Sequence, residues 1–147
     1  MDKCETLTME VRCFEIGDTT AVVELWHLCG LARRSNDPIK DIARKLKVDD
    51  EMFLVGLADG QIVGSIMAGY DGHRGWINYL AVHPDHRRGG FAARLMNEAE
   101  RLLRAVGCPK INLQVRSTNT EALGFYHRIG YEADEVLSFG KRLEDDG

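Results

Sequence analysis

The stretch Tyr79–Ala92, YLAVHPDHRRGGFA, constrains the chain more than any other. It opens as an apolar run (Tyr79-Leu80-Ala81-Val82), breaks at His83-Pro84-Asp85, turns basic and glycine-rich (Arg87-Arg88-Gly89-Gly90), and runs directly into a helical pattern. A strand, a bare-backbone turn and a helix start in that order leave the first helical N–H groups without internal partners, at the positive end of the helix dipole, which is an anion site. The plain alternative is an ordinary strand-to-helix connection with a solvated pair of arginines.

The rest of the chain frames that stretch. Met9–Phe14 alternates apolar and polar residues and predicts a first strand, and Asp18 is placed to cap a helix through about Leu28 with Ala21, Leu25 and Leu28 on one face and Val22 and Trp26 beside them. After the loop Gly30–Pro38, the pair Asp37-Pro38 matches a cap followed by proline at the first helical position, opening a helix over about Ile39–Leu46. Met52–Ala58 is an apolar strand, Asp59-Gly60 is a hairpin signal, and Gln61–Gly69 and Trp76–Val82 complete three consecutive antiparallel strands. Phe91, Leu95, Ala99, Leu102, Leu103 and Val106 recur at helical spacing up to a Gly107 stop. Lys110–Val115 reads as a short strand, Asn119 as the cap of a helix ending at Gly130, and Tyr131–Arg142 as one or two terminal strands. The order β-α-α-β-β-β-α-β-α-β(β) predicts an α/β (α+β) fold: a mixed, mostly antiparallel central sheet of six to seven strands with helices on both faces.

Composition narrows the possibilities. A chain of 147 residues with 44% hydrophobic and 29% charged residues is read as one domain, residues 1–147, with 1–6 and 144–147 mobile. A net charge of −4 opposes nonspecific nucleic-acid binding, so the basic turn suits a small anion rather than a polyanion. No apolar run approaches the ~20 residues of a membrane span, and no signal peptide opens the sequence. Cys4, Cys13, Cys29 and Cys108 are scattered, without metal-ligand spacing, and read as reduced, mostly buried thiols of a cytoplasmic protein. His83, Asp85 and His86 fit no convergent metal site, so no metal is expected.

With these residues in view, the chain resembles the GNAT family of acetyl-coenzyme A dependent N-acetyltransferases. The family pattern is Gln or Arg, two residues, Gly, one residue, then Gly or Ala; Arg87, Gly90 and Ala92 match it. Three further matches accompany it: Leu80-Ala81-Val82-His83-Pro84 before the turn, Asn119 at the next helix start, and Phe125-Tyr126 with Gly130-Tyr131 after it. They cover Met9 to about Arg142. The segment Gly69–Trp76 (GYDGHRGW) is similar to a group of small bacterial members. One departure stands out: the family's usual glycine and basic residue are exchanged at Arg88 and Gly89.

The resemblance implies that acetyl-CoA is the co-substrate. Backbone N–H groups across Arg87, Arg88, Gly89, Gly90, Phe91 and Ala92 would cradle its pyrophosphate, and the backbone of Leu80, Ala81 and Val82 would hold the pantetheine arm. Asn119 would contact the same arm, which is compatible with its reading as a plain helix cap. A P-loop would need Gly-Lys-Ser or Gly-Lys-Thr here, and a dinucleotide fold GxGxxG after the first strand; neither is present.

Acetyl transfer by direct attack of an amine needs a neutral nucleophile, a stabilised oxyanion and a proton for the leaving thiolate. The resemblance assigns the acid to Tyr126, which spacing alone would read as a core aromatic. The position where some members carry a basic Glu is Gln114, so the base is open among Glu24, Asp71, His73, Tyr79 and water. Three readings follow: an N-acetyltransferase for a primary amine of a small molecule or peptide, an acyl-CoA sensor without turnover, and a nucleotide-binding interaction domain. On the acceptor side, Asp37, Asp71 and Glu24 favour a cation while Arg33, Arg34 and Arg74 favour an acid. The terminal strands and Trp76 could support a homodimer.

Overall fold

The computed structural model describes residues 8–33 and 36–146. The expectations made for residues 1–6, for Cys4, Arg34 and Gly147 lie outside them. Four α-helices and five strands follow in the order β1 (Glu10–Cys13), α1 (Thr19–Leu28), α2 (Pro38–Val48), β2 (Phe53–Ala58), β3 (Gln61–Tyr70), β4 (Gly75–Val82), α3 (Phe91–Ala105), β5 (Ile111–Leu113) and α4 (Thr120–Arg128). The described residues form two compact units, one running as far as Asn112 and including Asp146, the other spanning Leu113–Asp145.

The sheet runs β1-β2-β3-β4-β5, with β1 to β4 antiparallel neighbours. Its hairpin turn at Asp59-Gly60 has both residues left-handed, φ 52° and 76°, the geometry that matches strand twist and that Asp-Gly favours. The expectation of six to seven strands is corrected to five. Residues 131–146 contain no strand, and Val136, Leu137, Phe139 and Leu143 are 76–93% exposed. Leu137, Phe139 and Leu143 share one face of a pleat and only Val136 departs from it, but among the described residues no neighbouring strand pairs with this segment, so the alternation alone does not make it part of the sheet.

Helices cover both faces of the sheet. On β3, a Cβ at Gly64 would lie 2.9 Å from Leu95 of α3, whereas the next side chain, Ser65, bonds Trp26 of α1. Neighbouring residues of a strand point to opposite faces, so α1 and α3 lie on opposite sides. The α1 face buries Phe14, Val22, Leu25, Trp26, Ile42, Phe53, Val55, Met67 and Ala81, with Phe14 and Phe53 stacked at 4.3 Å. The α3 face holds Phe91, Leu95, Met96, Ala99 and Leu103. Leu102 is only half-buried and Val106 is exposed, so the stripe ends one turn early.

Side chains cap the starts of α2 and α4 but not those of α1 and α3. Asp37 caps α2, accepting the Ile39 and Lys40 N–H groups at 3.0 and 3.2 Å, with Pro38 in the first turn; such a cap is worth about 1 kcal/mol. Asp18 does not cap α1. It pairs with Arg12 through both oxygens (2.8 and 3.0 Å) and takes the Glu15 N–H, ending a short 3-10 turn from which α1 grows. On α1, Val22, Leu25 and Trp26 are buried while Ala21 and Leu28 are exposed. The cysteines are less buried than expected: Cys13 is exposed and Cys29 and Cys108 are intermediate, all three free. The acidic tail is held in part, since Asp146 accepts Arg44 at 2.8 Å and the Asp37 N–H at 3.3 Å.

Candidate active site

The strand end, β4, is not regular. Ser65 opposes Ala81, but Met67 opposes Asn78, so Tyr79 and Leu80 together face Ile66: a β-bulge. Tyr79 carries it with φ 54°, an uncommon conformation for an aromatic residue. The extra residue shifts side-chain parity for Asn78 and the residues before it, while Tyr79, two residues from Ala81, shares the α1 face with Ala81. There its ring stacks on Trp26 at 3.8 Å, its hydroxyl donates to Asp41 at 2.6 Å, and its carbonyl accepts the Ser65 hydroxyl at 2.8 Å. Burial, then the bond to Asp41, pushes the Tyr79 phenol well above its usual range. It stays protonated and is unsuited to be a base.

Beyond the bulge, the strand turns its backbone outward. The His83 N–H bonds the Val63 carbonyl at 2.8 Å and flanks the Gly64–Val82 pair, so Val82's own N–H and carbonyl point away from β3. The Val82 carbonyl is already taken on that side, by Arg87 Nε at 3.0 Å and the Cys29 thiol at 3.4 Å. The guanidinium of Arg87 thus braces the strand end. β5, three residues long and joined to β4 by the Gly75 N–H on Lys110, cannot pair with the whole eight-residue strand.

The turn itself is compact. Pro84–His86 forms a 3-10 turn capped by His83, whose Nδ1 accepts the Asp85 N–H at 3.1 Å. His86 then stacks on the buried Phe91 at 5.8 Å, closing the loop over Arg87–Gly90. Arg88 and Gly90 are both left-handed, φ 68° and 82°. The exchange of arginine and glycine therefore leaves an arginine in the conformation that glycine adopts without strain. Gly90 is the N-cap residue of α3, and no side chain caps that helix among the described residues, in contrast to α2 and α4. Arg87, Arg88, Gly89 and Gly90 are exposed and Ala92 is half-buried.

In the second unit, Asn119 caps α4 by accepting the Ala122 N–H at 3.1 Å. Tyr126 packs edge-on to Phe125 (5.1 Å) and Tyr131 (5.8 Å), and burial pushes its phenol up to about 12. Its hydroxyl makes no hydrogen bond among the described residues, in contrast to those of Tyr70 and Tyr79. The Gln114 amide is engaged with the Ser138 hydroxyl.

The candidate bases separate by their surroundings. Asp71 accepts the His73 and Arg74 N–H groups, each at 2.8 Å, which lower its pKa and commit it to the turn. His73 is exposed on that turn, and Glu24 is exposed on α1. The bulge and its supports, Trp26, Asp41 and Ser65, escaped sequence reasoning. The one available signal was a lone serine inside the apolar run Val63–Ala68.

Comparison with known proteins agrees with this geometry. Residues 19–131 match the profile of the acetyltransferase (GNAT) family. A Yersinia pestis protein named acetyltransferase is 50% identical over 135 residues, 92% of this chain and 96% of its own. One from Pectobacterium atrosepticum is 49% identical over 138 residues, 94% and 98% of the two chains. Among solved structures, the aminoglycoside N-acetyltransferase AAC(6')-Iy in complex with CoA superimposes with a TM-score of 0.76 at 19% identity, covering 95% of this chain and 98% of that one. Glucosamine-6-phosphate N-acetyltransferase from Arabidopsis thaliana gives 0.68 at 19% identity, covering 93% and 99%. These two establish the likeness of fold, and the relatives near 50% identity carry the assignment: the chain is an acetyltransferase that belongs to the GNAT family.

Proposed function

We propose that the protein transfers the acetyl group of acetyl-CoA to a primary amine of a small molecule or peptide by direct attack. The observation that carries the donor half is the uncapped start of α3 behind the left-handed Arg88–Gly90 turn. Free N–H groups converging on a glycine turn at a helix N-terminus suit a pyrophosphate. The Arg88 side chain and the N–H groups from Arg88 to Ala92 take the phosphates, while Arg87 braces the Val82 carbonyl. Backbone groups of Leu80 and Val82 hold the pantetheine arm, with Asn119 added from its capping position.

The chemistry balances without a covalent enzyme intermediate. The amine lone pair attacks the thioester carbonyl carbon, a C–N bond forms, the C–S bond breaks, and the ammonium proton ends on sulfur. The Leu80 N–H is the candidate donor to the carbonyl oxygen and Tyr126 the donor to the departing sulfur. With Tyr79 and Asp71 unsuited, the amine's first proton leaves through water, His73 or Glu24. Asp37 and Asp71, which would have suited a cationic acceptor, are occupied by backbone N–H groups. A solved neighbour, AAC(6')-Iy, is described in complex with a CoA-S-monomethyl-acetylneamine bisubstrate analogue, so amino sugars belong in a first test.

A panel of amino sugars, polyamines, amino acids and peptide N-termini, followed by release of CoA thiol, tests the proposal. The expected result is amine-dependent release for at least one class, and calorimetric binding of CoA below millimolar concentration. Absence of CoA binding at millimolar concentration sinks the donor reading. Tight binding with no release across the panel would favour a sensor, against which the relatives named acetyltransferase stand.

We also propose that the exposed run Val136, Leu137 and Phe139 is covered in a homodimer, since such a contiguous apolar stretch rarely faces water. Light scattering should give twice the 16.5 kDa chain mass. Phe139→Asp should return it to the monomer value, and a monomeric wild type would dismiss the idea.

A further inference from the structure

Ser65 is the only buried polar or charged residue among those described, 0% exposed in the middle of β3. Alanine would fit the same apolar surroundings without the ~1–3 kcal/mol cost of an unpaired buried hydroxyl. The hydroxyl is instead fully used. It accepts the Trp26 indole N–H at 2.8 Å and donates to the Tyr79 carbonyl at 2.8 Å. That carbonyl sits at the bulge, where the register with β3 slips between Ser65 and Met67. The serine side chain satisfies it in place of the ladder.

The consequence lies one atom further along the chain. In a trans peptide the carbonyl and the following N–H point in opposite directions. Anchoring the Tyr79 carbonyl toward Ser65 therefore aims the Leu80 N–H away from β3, the same side to which Val82 turns its backbone. Trp26 stacks on the Tyr79 ring and bonds Ser65, so one residue of α1 holds both the side chain and, through Ser65, the peptide of the bulge.

We infer that Ser65, backed by the Trp26 indole, is a positioning residue for acetyl transfer: it fixes the Tyr79–Leu80 peptide so that the Leu80 N–H meets the thioester oxygen. The inference rests on the donor reading above. Ser65 touches neither substrate nor cofactor, and its effect is confined to the direction of one N–H. Affinity for CoA, held mainly through its pyrophosphate at the Arg88–Ala92 turn, is largely independent of it.

The test compares Ser65→Ala with Val55→Ala, a cavity in the same buried cluster that leaves the hydroxyl in place. Ser65→Ala is expected to lower kcat ~10–100-fold, the scale of a misaligned oxyanion donor, with the KM for acetyl-CoA within about threefold. It is also expected to shift the Leu80 amide resonance, whereas Val55→Ala, even if equally destabilised, keeps kcat near wild type. Should Ser65→Ala not fold, Ser65→Cys keeps the size with a much weaker hydrogen bond and should give the same pattern. Equal kcat losses in the two alanine variants, or an unmoved Leu80 resonance, overturn the inference. If the wild type binds no CoA, the functional reading has failed instead, and the Leu80 resonance alone then judges whether Ser65 sets the bulge.

Discussion

Replacing Gly90 with aspartate lowers affinity for acetyl-CoA at least ~100-fold and leaves the melting temperature within about 4 °C of wild type. Both halves follow from the left-handed residue at the head of α3. A Cβ at Gly90 meets nothing within 4 Å, so the substitution costs backbone strain and no collision. At φ 82° that strain is about 1–2 kcal/mol for an ordinary residue and less for Asp or Asn. Loss of glycine's freedom in the unfolded chain returns about 0.4–1 kcal/mol. A carboxylate at a helix N-terminus returns a further ~0.3–1 kcal/mol. Stability therefore changes little. The ligand meets a fixed negative charge about 5 Å from two phosphate charges, worth a few kcal/mol at an effective dielectric near 20. Gly90→Asn has the same size and backbone tolerance without the charge and should lose less than about tenfold. Calorimetry on the pair decides: similar losses for Asp and Asn would mean the turn acts by shape alone, and no loss for either would remove the phosphates from this turn.

The contrast between this turn and the bulge beside it shows what the sequence carries. Turns and caps are local, and they were legible. Asp37 caps α2, Asn119 caps α4, and Gly107 and Gly130 are left-handed just past their helices. The strand-to-helix turn was legible for the same reason. The bulge was not, because nothing within Asn78-Tyr79-Leu80 favours a positive φ at tyrosine. It is held by Trp26, Asp41 and Ser65, contacts separated by 14 or more residues that exist only once β3 lies beside β4 and α1 and α2 have reached Tyr79. The rotation of α1 has a similar origin. Apolar residues occupy enough positions of that helix to allow more than one stripe, and the one with Trp26 inward brings its indole onto Ser65 and the Tyr79 ring, partners far off in the sequence. The missing terminal strands are the converse case: Leu137, Phe139 and Leu143 alternate as a strand would, but a strand also needs a partner edge, and among the described residues none pairs with this segment.

Conversion of Tyr126 to phenylalanine lowers kcat by ~10²–10³ while acetyl-CoA binding and stability stay near wild type. Stability is spared because the hydroxyl makes no hydrogen bond among the described residues, so its removal leaves no group unpaired. The same freedom leaves the phenol available to a ligand. Its acidity determines how it can act. A phenol at about 12 is a weaker acid than a thiol near ~8.5, so complete transfer of its proton to the departing thiolate would run uphill. Tyr126 on this reading donates a hydrogen bond that strengthens as charge grows on sulfur, and the proton that settles there comes from the ammonium formed by attack. The pH profile distinguishes the two roles. Burial raises the phenol's pKa, so the protonated form persists to about pH 12 and is lost only above it. The rate should therefore rise with pH as the acceptor amine loses its proton, then stay level through about pH 10.5, whereas an ordinary phenol would begin to fail near ~10. A falling limb centred at or below about pH 10 in the wild type and absent from the Phe variant would show Tyr126 titrating as a normal acid and would refute this account of its role.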